Sequence, residues 1–535
     1  MFSTNNMALK TIQISGVTGG LAASPYLYAA GQFLNAVGID PDQPISDNAN
    51  DYLPCGMVRP SGYTAFSGGS ITAVPKWFVT NPKDALFYAL LDNGRFVSYT
   101  SSFASETLIA TASSCTGNGC IYYNNYIYVF TGTTVDRYGP LNGTPAYTTG
   151  VWTGATLGSL TALTNTTYPT VRDSTLLPNH VACVHGDGSL YFLDYVNGQG
   201  LVHRINTKKV TYEGDTNGTT VPSAYNVLDL PFGYMPTSIA SFGTDLVISA
   251  IQTSDSTLKQ GDSALFIWDA VSSSFRVQIP VSDAVITGLK NSNGTLYVFC
   301  GGLVNNGYRL AYYAGGETLK TIYFSSEGHS PLQGAIDALG DKLYWGTIKM
   351  VQTTSSPEYY AVVMSAGSKD PNVPLKIQCP VKTAASATSS VGIVGAIAAI
   401  QQASFSAPNL VVGYKHSTTY GIAKKGTTYG ATVFHAPVVQ VGHKFIIRRI
   451  RINFAKAIAA SMTITPTVFL DDFSSSSTNG LRVINNTNYS KSEQYVEFKP
   501  DINGKRNFVL ELRHSGTALL PIALPIEIDI ETLTD

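Results

Sequence analysis

The sequence predicts an all-β protein: an irregular β-propeller of six to eight blades, with seven the central expectation. An extended N-terminal arm precedes it and a C-terminal β-sandwich follows. Three observations point there. First, a strand–turn–strand unit recurs seven times, each copy centred on an apolar triplet: Leu86-Phe87-Tyr88, Ile127-Tyr128-Val129, Leu190-Tyr191-Phe192, Leu246-Val247-Ile248, Leu296-Tyr297-Val298, Leu343-Tyr344-Trp345 and Leu410-Val411-Val412. The triplets stand about 40 to 70 residues apart, as blades of short strands with loop insertions would. Second, tight-turn signals such as Asp92-Asn93-Gly94, Asn197-Gly198 and Asn305-Asn306-Gly307 follow them. Asn-Gly supplies the positive φ that a two-residue hairpin turn requires. Third, the pattern changes near residue 431, where longer alternating strands begin.

Residues 1–75 read as an arm punctuated by glycine and proline, with one short helix over Leu27 to Val37. Tyr26, Tyr28, Phe33, Tyr52, Tyr63 and Phe66 are costly to leave in water. The arm is therefore expected to cross other domains or a neighbouring subunit, and its removal to leave the propeller folded. Residues 76–430 carry the repeats, with three strands visible per unit and a fourth expected. Alternation along them gives sheets with two packed faces, as stacked blades need. Residues 431–535 contain the long strand Lys444 to Phe454, then Met462 to Leu470, Gln494 to Phe498, Phe508 to Leu512 and Ile526 to Ile530. This is the spacing of a sandwich.

Composition bounds the function. Charged residues make up 13% of the 535 residues, against about 25% in an average soluble protein. Thirty-four Lys and Arg balance thirty-five Asp and Glu, a net charge of −1. Nothing global attracts nucleic acid or an acidic membrane. So weakly charged a surface suits burial in an assembly. The N-terminus lacks a basic region followed by an apolar run, so no signal peptide is expected. The longest apolar run, Val391 to Ile400, is too short to span a bilayer core of about 30 Å as a helix and reads as a buried strand or a short packed helix. The six cysteines, Cys55, Cys115, Cys120, Cys183, Cys300 and Cys379, show no metal spacing and read as reduced.

No phosphate loop, His-Glu-x-x-His, calcium loop or Gly-x-Ser-x-Gly elbow occurs. The eight histidines are scattered, none with a close acidic or thiol partner at metal-ligand spacing. Asp92, Asp136, Asp187, Asp194, Asp245 and Asp337 are the carboxylates a propeller glycosidase would draw on. Turn formation explains most of them. Trp268-Asp269 imitates a WD dipeptide without its companion Gly-His. No catalytic, cofactor-binding or metal-ligating set is therefore assigned, and the chain is read as a non-enzyme without a cofactor. Arg448, Arg449 and Arg451 form the one charge cluster. They are candidates for a subunit interface or a phosphate contact, or else the solvated face of a strand paired with nearby acids.

An arm bearing Arg59-Pro60-Ser61-Gly62-Tyr63, an irregular propeller and a sandwich opening on Ile447-Arg448-Arg449-Ile450-Arg451-Ile452 together resemble the propeller-bearing virion proteins of tailed bacteriophages. The likeness is greatest to the tail nozzle, or tail tubular, proteins of short-tailed phages. It lies in the order and style of the domains, and the near-neutral charge departs from the acidic balance common in nozzle channels. The resemblance implies a structural virion protein of the phage tail, a nozzle or tail-tip ring subunit lining part of the DNA exit channel. It implies identical subunits in a ring, commonly a hexamer, with an adaptor or fibre as neighbours and DNA passing transiently during ejection. The alternatives are a receptor- or glycan-binding propeller on a virion or cell surface and, third, a propeller glycoside hydrolase.

Overall fold

The computed structural model describes residues 8–14, 21, 34–37, 40–45, 53–58, 63–65, 71–81, 86–100, 105–112, 115, 117–132, 134–151, 180–196, 198–205, 223–252, 263–283, 285–301, 307–313, 315–325, 328–340, 342–352, 357–367, 381–382, 392–400, 409–416, 418–426, 432–454, 458, 461–471, 475–477, 484–485, 495–516 and 522–532. Among them, every regular element except the 3-10 turn Gln333–Ala335 is a strand. Among the described residues no helix is long and apolar enough to cross a membrane. The chain divides into two compact units, residues 65–348 with 390–424, and residues 1–64 with 349–389 and 425–535.

Seven antiparallel sheets of four strands each follow one another along the chain, over residues 75–111, 119–148, 182–229, 234–281, 285–325, 336–382 and 392–425. The first six are laid down in sequence order, and in all seven the first strand is innermost. The first strands are Pro75–Thr80, Gly119–Tyr123, Ala182–Val184, Tyr234–Phe242, Val285–Ser292, Ile336–Leu339 and Gly392–Ile400. Each touches the next, and Gly392–Ile400 packs back on Pro75–Thr80, so the ring closes. This is a seven-bladed β-propeller. Every apolar triplet found in the sequence lies in the second strand of its blade.

Alternation explains the stacking. On the second strand of blade 1, Phe87, Ala89 and Leu91 pack with Ala398, Ile400 and Val411 of blade 7. Tyr88 and Leu90, pointing the other way, pack with Cys120, Ile127 and Val129 of blade 2. Blades 2 and 3 meet through Tyr128, Phe130, Leu190 and Phe192. Blades 4 and 5 meet through Val247, Leu265, Leu296 and Val298. Each large apolar side chain buried this way contributes roughly 1.5–3 kcal/mol. Four inner strands carry a register shift at the same place, between Pro75 and Trp77, Pro236 and Ser238, Ile286 and Gly288, and Val394 and Ala396. A bulge adds a residue and sharpens the twist, which turns successive blades about the axis.

A short turn packs on several inner strands at once. The turn Gln333–Ala335, entering blade 6, contacts the inner strands of blades 1, 5 and 7. Gln333 bonds the Leu289 backbone in both directions, at 2.8 and 2.9 Å, and receives the Ser238 hydroxyl at 2.5 Å. Gly334 lies so close to Lys76 that a Cβ there would stand 2.0 Å from the Lys76 carbonyl oxygen.

Blade 7 takes its fourth strand from far upstream: Tyr63–Ala65 lies beside Thr419–Lys425. The described parts of the expected N-terminal arm are extended strands that pair with later segments, and only the helix expected over Leu27 to Val37 is corrected. Ala8–Ile14 pairs antiparallel with Ile526–Thr532. Asn35–Val37, inside the expected helix, pairs with Thr432–His435, while residues 27–33 of that helix lie outside the described residues. Asp40–Ile45 pairs with Leu53–Val58 through two register shifts, and Pro41 and Pro44 fall in the interrupted stretches. Proline is tolerated on such irregular edges, which is why the segment reads as coil.

In the second unit, one antiparallel sheet has the order Asp40–Ile45, Leu53–Val58, Ile522–Thr532, Phe445–Phe454, Tyr495–Phe498. A second has the order Asn35–Val37, Thr432–His435, Asn507–Ser515, Thr463–Leu470, Ser475–Ser477. The buried rings of Phe445 and Phe508, one from each sheet, lie 5.4 Å apart.

Candidate functional site

The arginine cluster lies on Phe445–Phe454, where a register shift between Ile447 and Arg449 lets consecutive arginines share one face. Opposite them, Glu527, Asp529 and Glu531 alternate with buried Ile526, Ile528 and Ile530. Arg448 donates to Glu531 at 2.5 Å and to Asp501 at 2.8 Å. Arg449 donates to Asp529 at 2.7 Å and to Glu497 at 3.0 Å, and lies 3.5 Å from Glu527. The Arg451 guanidinium sits 3.7 Å from the centre of the Tyr495 ring and 3.9 Å from Glu497. Asp529 also accepts the Thr11 hydroxyl at 2.7 Å. Burial alone would push its carboxyl upward, but the Arg449 and Thr11 bonds hold it below the usual range. Bonds to Asp501 and Glu531 raise Arg448, and the Asp529 bond raises Arg449. Five carboxylates thus surround three guanidinia in a cross-strand ladder. A phosphate approaching this face would have to displace carboxylates already in place.

The six aspartates are distributed over five blades. Asp92 accepts the Val74 amide at 3.1 Å. Asp136 accepts the Thr134 hydroxyl, the Tyr147 hydroxyl at 2.8 Å and the Gly150 amide at 2.9 Å. Asp187 accepts the Ser189 amide and the Tyr191 hydroxyl. These outweigh its partial burial and lower its pKa. Asp194 faces two histidines. Asp245 pairs with Arg276 at 2.5 Å, and Asp337 with Lys290. Asp269 of the WD dipeptide closes its own turn, accepting from Val271, Ser272 and the Ser272 hydroxyl, and these bonds lower it to about 2.

Sequence separation hid the acid partners of the histidines. His203 lies 3.3 Å from Asp194, and His435 lies 2.6 Å from Glu511 across neighbouring strands. The first pair was findable: Asn197-Gly198 in the sequence predicts a tight hairpin turn, and the pairing of Leu190–Val196 with Gln199–Ile205 sets His203 diagonal to Asp194. Among the described residues no three His, Cys, Asp or Glu side chains are grouped to hold a metal. Cys115, Cys120, Cys183 and Cys300 are free thiols, pushed upward by burial.

No family model matches this chain, and no curated protein matches it. Among solved structures it is similar to the WD40 repeats of RRP9, at 10% identity over 69% of this chain and 98% of that one, with a TM-score of 0.39. It is similar to the Neurospora crassa Pan2 WD40 domain at 8% identity over 69% and 95%, with a TM-score of 0.40. A family 43 arabinoxylan arabinofuranohydrolase from Bacillus subtilis covers 86% of this chain and 96% of its own, at 9% identity and a TM-score of 0.29. TM-scores this low carry no argument, and the propeller assignment rests on the closed ring of inner strands.

Proposed function

We propose that this chain is a non-catalytic structural subunit of a larger protein assembly, with the propeller as its rigid platform. The observation that supports this most is the engagement of its carboxylates. Asp136, Asp187, Asp194 and Asp337 each hold a turn, a strand or a neighbouring blade, whereas a glycosidase needs two carboxyl groups facing one bond. The setting we propose is the one the sequence resemblance implies: a ring of identical subunits, six in number, at the tip of a phage tail.

A second reading, a receptor- or glycan-binding propeller, is favoured by Phe232. Its ring is 76% exposed and lies against Gly198, where a Cβ would meet it at 2.8 Å. Exposed aromatic rings are common anchors in recognition. The test that separates both readings from an enzyme is a turnover screen of the purified full chain against glycans, esters and nucleotides. No turnover is expected. Hydrolysis that disappears in Asp245→Asn would overturn the non-catalytic reading.

A further inference from the structure

We propose that His180, Asp194 and His203 form a proton-operated catch that releases the outer strand of blade 3, Ser223–Asp229, on acidification. All three side chains are buried. Their tautomers follow from their partners. His180 places Nδ1 3.0 Å from the Leu193 carbonyl oxygen, so that nitrogen carries the proton. Its buried Nε2 meets no partner. His203 Nδ1 accepts the Asn226 amide at 3.0 Å, so its proton sits on Nε2, toward Asp194 at 3.3 Å. Asp194 is the carboxylate between them, and it also accepts the Tyr195 amide at 2.8 Å. Phe130 and Phe192 supply apolar walls, 6.3 Å from His180 and 5.0 Å from His203.

The bond from Asn226 to His203 closes a gap in the sheet. Pairing between Gln199–Ile205 and Ser223–Asp229 breaks at His203: Val202 faces Leu228, and Arg204 faces Ala224. Asn226 stands in that gap at φ +23°, a conformation disfavoured for any residue with a Cβ. A proton from solvent on His203 Nδ1 converts the acceptor into a donor aimed at a donor, and the amide of Asn226 loses its partner. The Asn226 bond can be made only to the neutral ring, so a proton on His203 Nδ1 and release of the outer strand go together. One carboxylate cannot neutralise two imidazolium ions, so a second proton on His180 would leave a buried excess charge. Burial holds the pKa of His180 below its ordinary 6.5, although Asp194 works against that. The unfolded chain therefore takes up this proton at a higher pH than the folded one, and blade 3 loses stability as the pH falls below about 6.5.

The test is amide hydrogen exchange over residues 223–229 in the full chain, corrected for intrinsic rates, between about pH 7.5 and about pH 5, which brackets the ordinary histidine range. The wild type should lose protection there about tenfold or more while the inner strands of the ring keep theirs, as expected of a local opening. His203→Gln, whose amide can accept from Asn226 and donate to Asp194 without titrating, should lose clearly less protection over residues 223–229 than the wild type, since only the His180 contribution remains. Unchanged wild-type protection, a uniform loss throughout the chain, or the same loss in His203→Gln would overturn the proposal. Should the variant not fold, histidine-labelled wild type decides. A ring titrating with the midpoint of the protection loss supports the catch, and no titration in that window overturns it.

Discussion

Lys290 and Asp337 meet 2.5 Å apart between the inner strands of blades 5 and 6. The other Asp337 oxygen accepts the Ala399 amide of blade 7 at 2.7 Å. One carboxylate thus fastens three consecutive blades. Asp337→Ala should lower stability by about 2 kcal/mol, the scale of losing charge-assisted bonds at a part-buried site. Lys290→Ala should cost less, because the Ala399 bond survives. Urea unfolding of both singles and the double variant checks this, and strict additivity would deny the coupling.

Close inter-blade approach predicts a steric asymmetry between glycines. A Cβ on Gly395 would stand 2.3 Å from the Pro75 carbonyl oxygen, where blade 7 meets blade 1, whereas one on Gly186 would meet nothing within 4 Å. Gly395→Ala should destabilise by about 1–3 kcal/mol, since backbone has to move. Gly186→Ala should stay within about 0.5 kcal/mol of wild type. Thermal or urea denaturation of the pair reads the difference.

Glu511 gives the second unit a pH dependence. Burial acts to raise its pKa, but the bonds from His435, at 2.6 Å, and Arg513, at 2.7 Å, lower it below the usual 4.5. A depressed carboxylate stabilises the fold above its unfolded value, and that contribution is lost as the pH falls through the folded one. Unfolding free energy measured from pH 7 downward should fall steeply in that acid range. Glu511→Gln should be weaker at pH 7 by about 3 kcal/mol, as expected when a buried pair is broken, and should show a flatter acid limb. A parallel acid limb in the variant would remove Glu511 from the account.

The N-terminal segment predicts a graded response to truncation. Among the described residues, removing 1–14 takes away Ala8–Ile14, of which Ile14 is buried and Leu9 is 67% exposed. The propeller transition should be unaffected. Removing residues 1–65 also takes away Tyr63–Ala65 and leaves Thr419–Lys425 as an open edge. This loss bears directly on the expectation that the propeller stays folded without its arm. The longer truncation should broaden the unfolding transition and sensitise the chain near residue 425 to protease.

The second strands were legible because both faces of each are covered, so Leu86-Phe87-Tyr88 and its six counterparts read as continuous apolar runs. The first strands were faint. Ala182–Val184 is three residues long, and Val285–Ser292 contains Gly288, Lys290 and Asn291, chosen by close approach and inter-blade bonds. Outer strands such as Glu106–Thr111 are largely wet and lack alternation. The closing strand could not be seen locally at all, because Tyr63–Ala65 and Thr419–Lys425 are joined only by ring closure. For the site, the acids facing Arg448 and Arg449 were out of reach because Asp529 and Glu531 lie about 80 residues away in the chain.

The role proposed for this chain is that of a subunit in a symmetric assembly. Sedimentation velocity of the purified full chain, over a concentration series and with its native neighbours added, tests it most directly. The account predicts a discrete species of several copies, held by interfaces above about 1,200 Å² and resolved as a closed ring in class averages. A chain that stays monomeric at every concentration and beside those neighbours, while binding a glycan saturably, would contradict it.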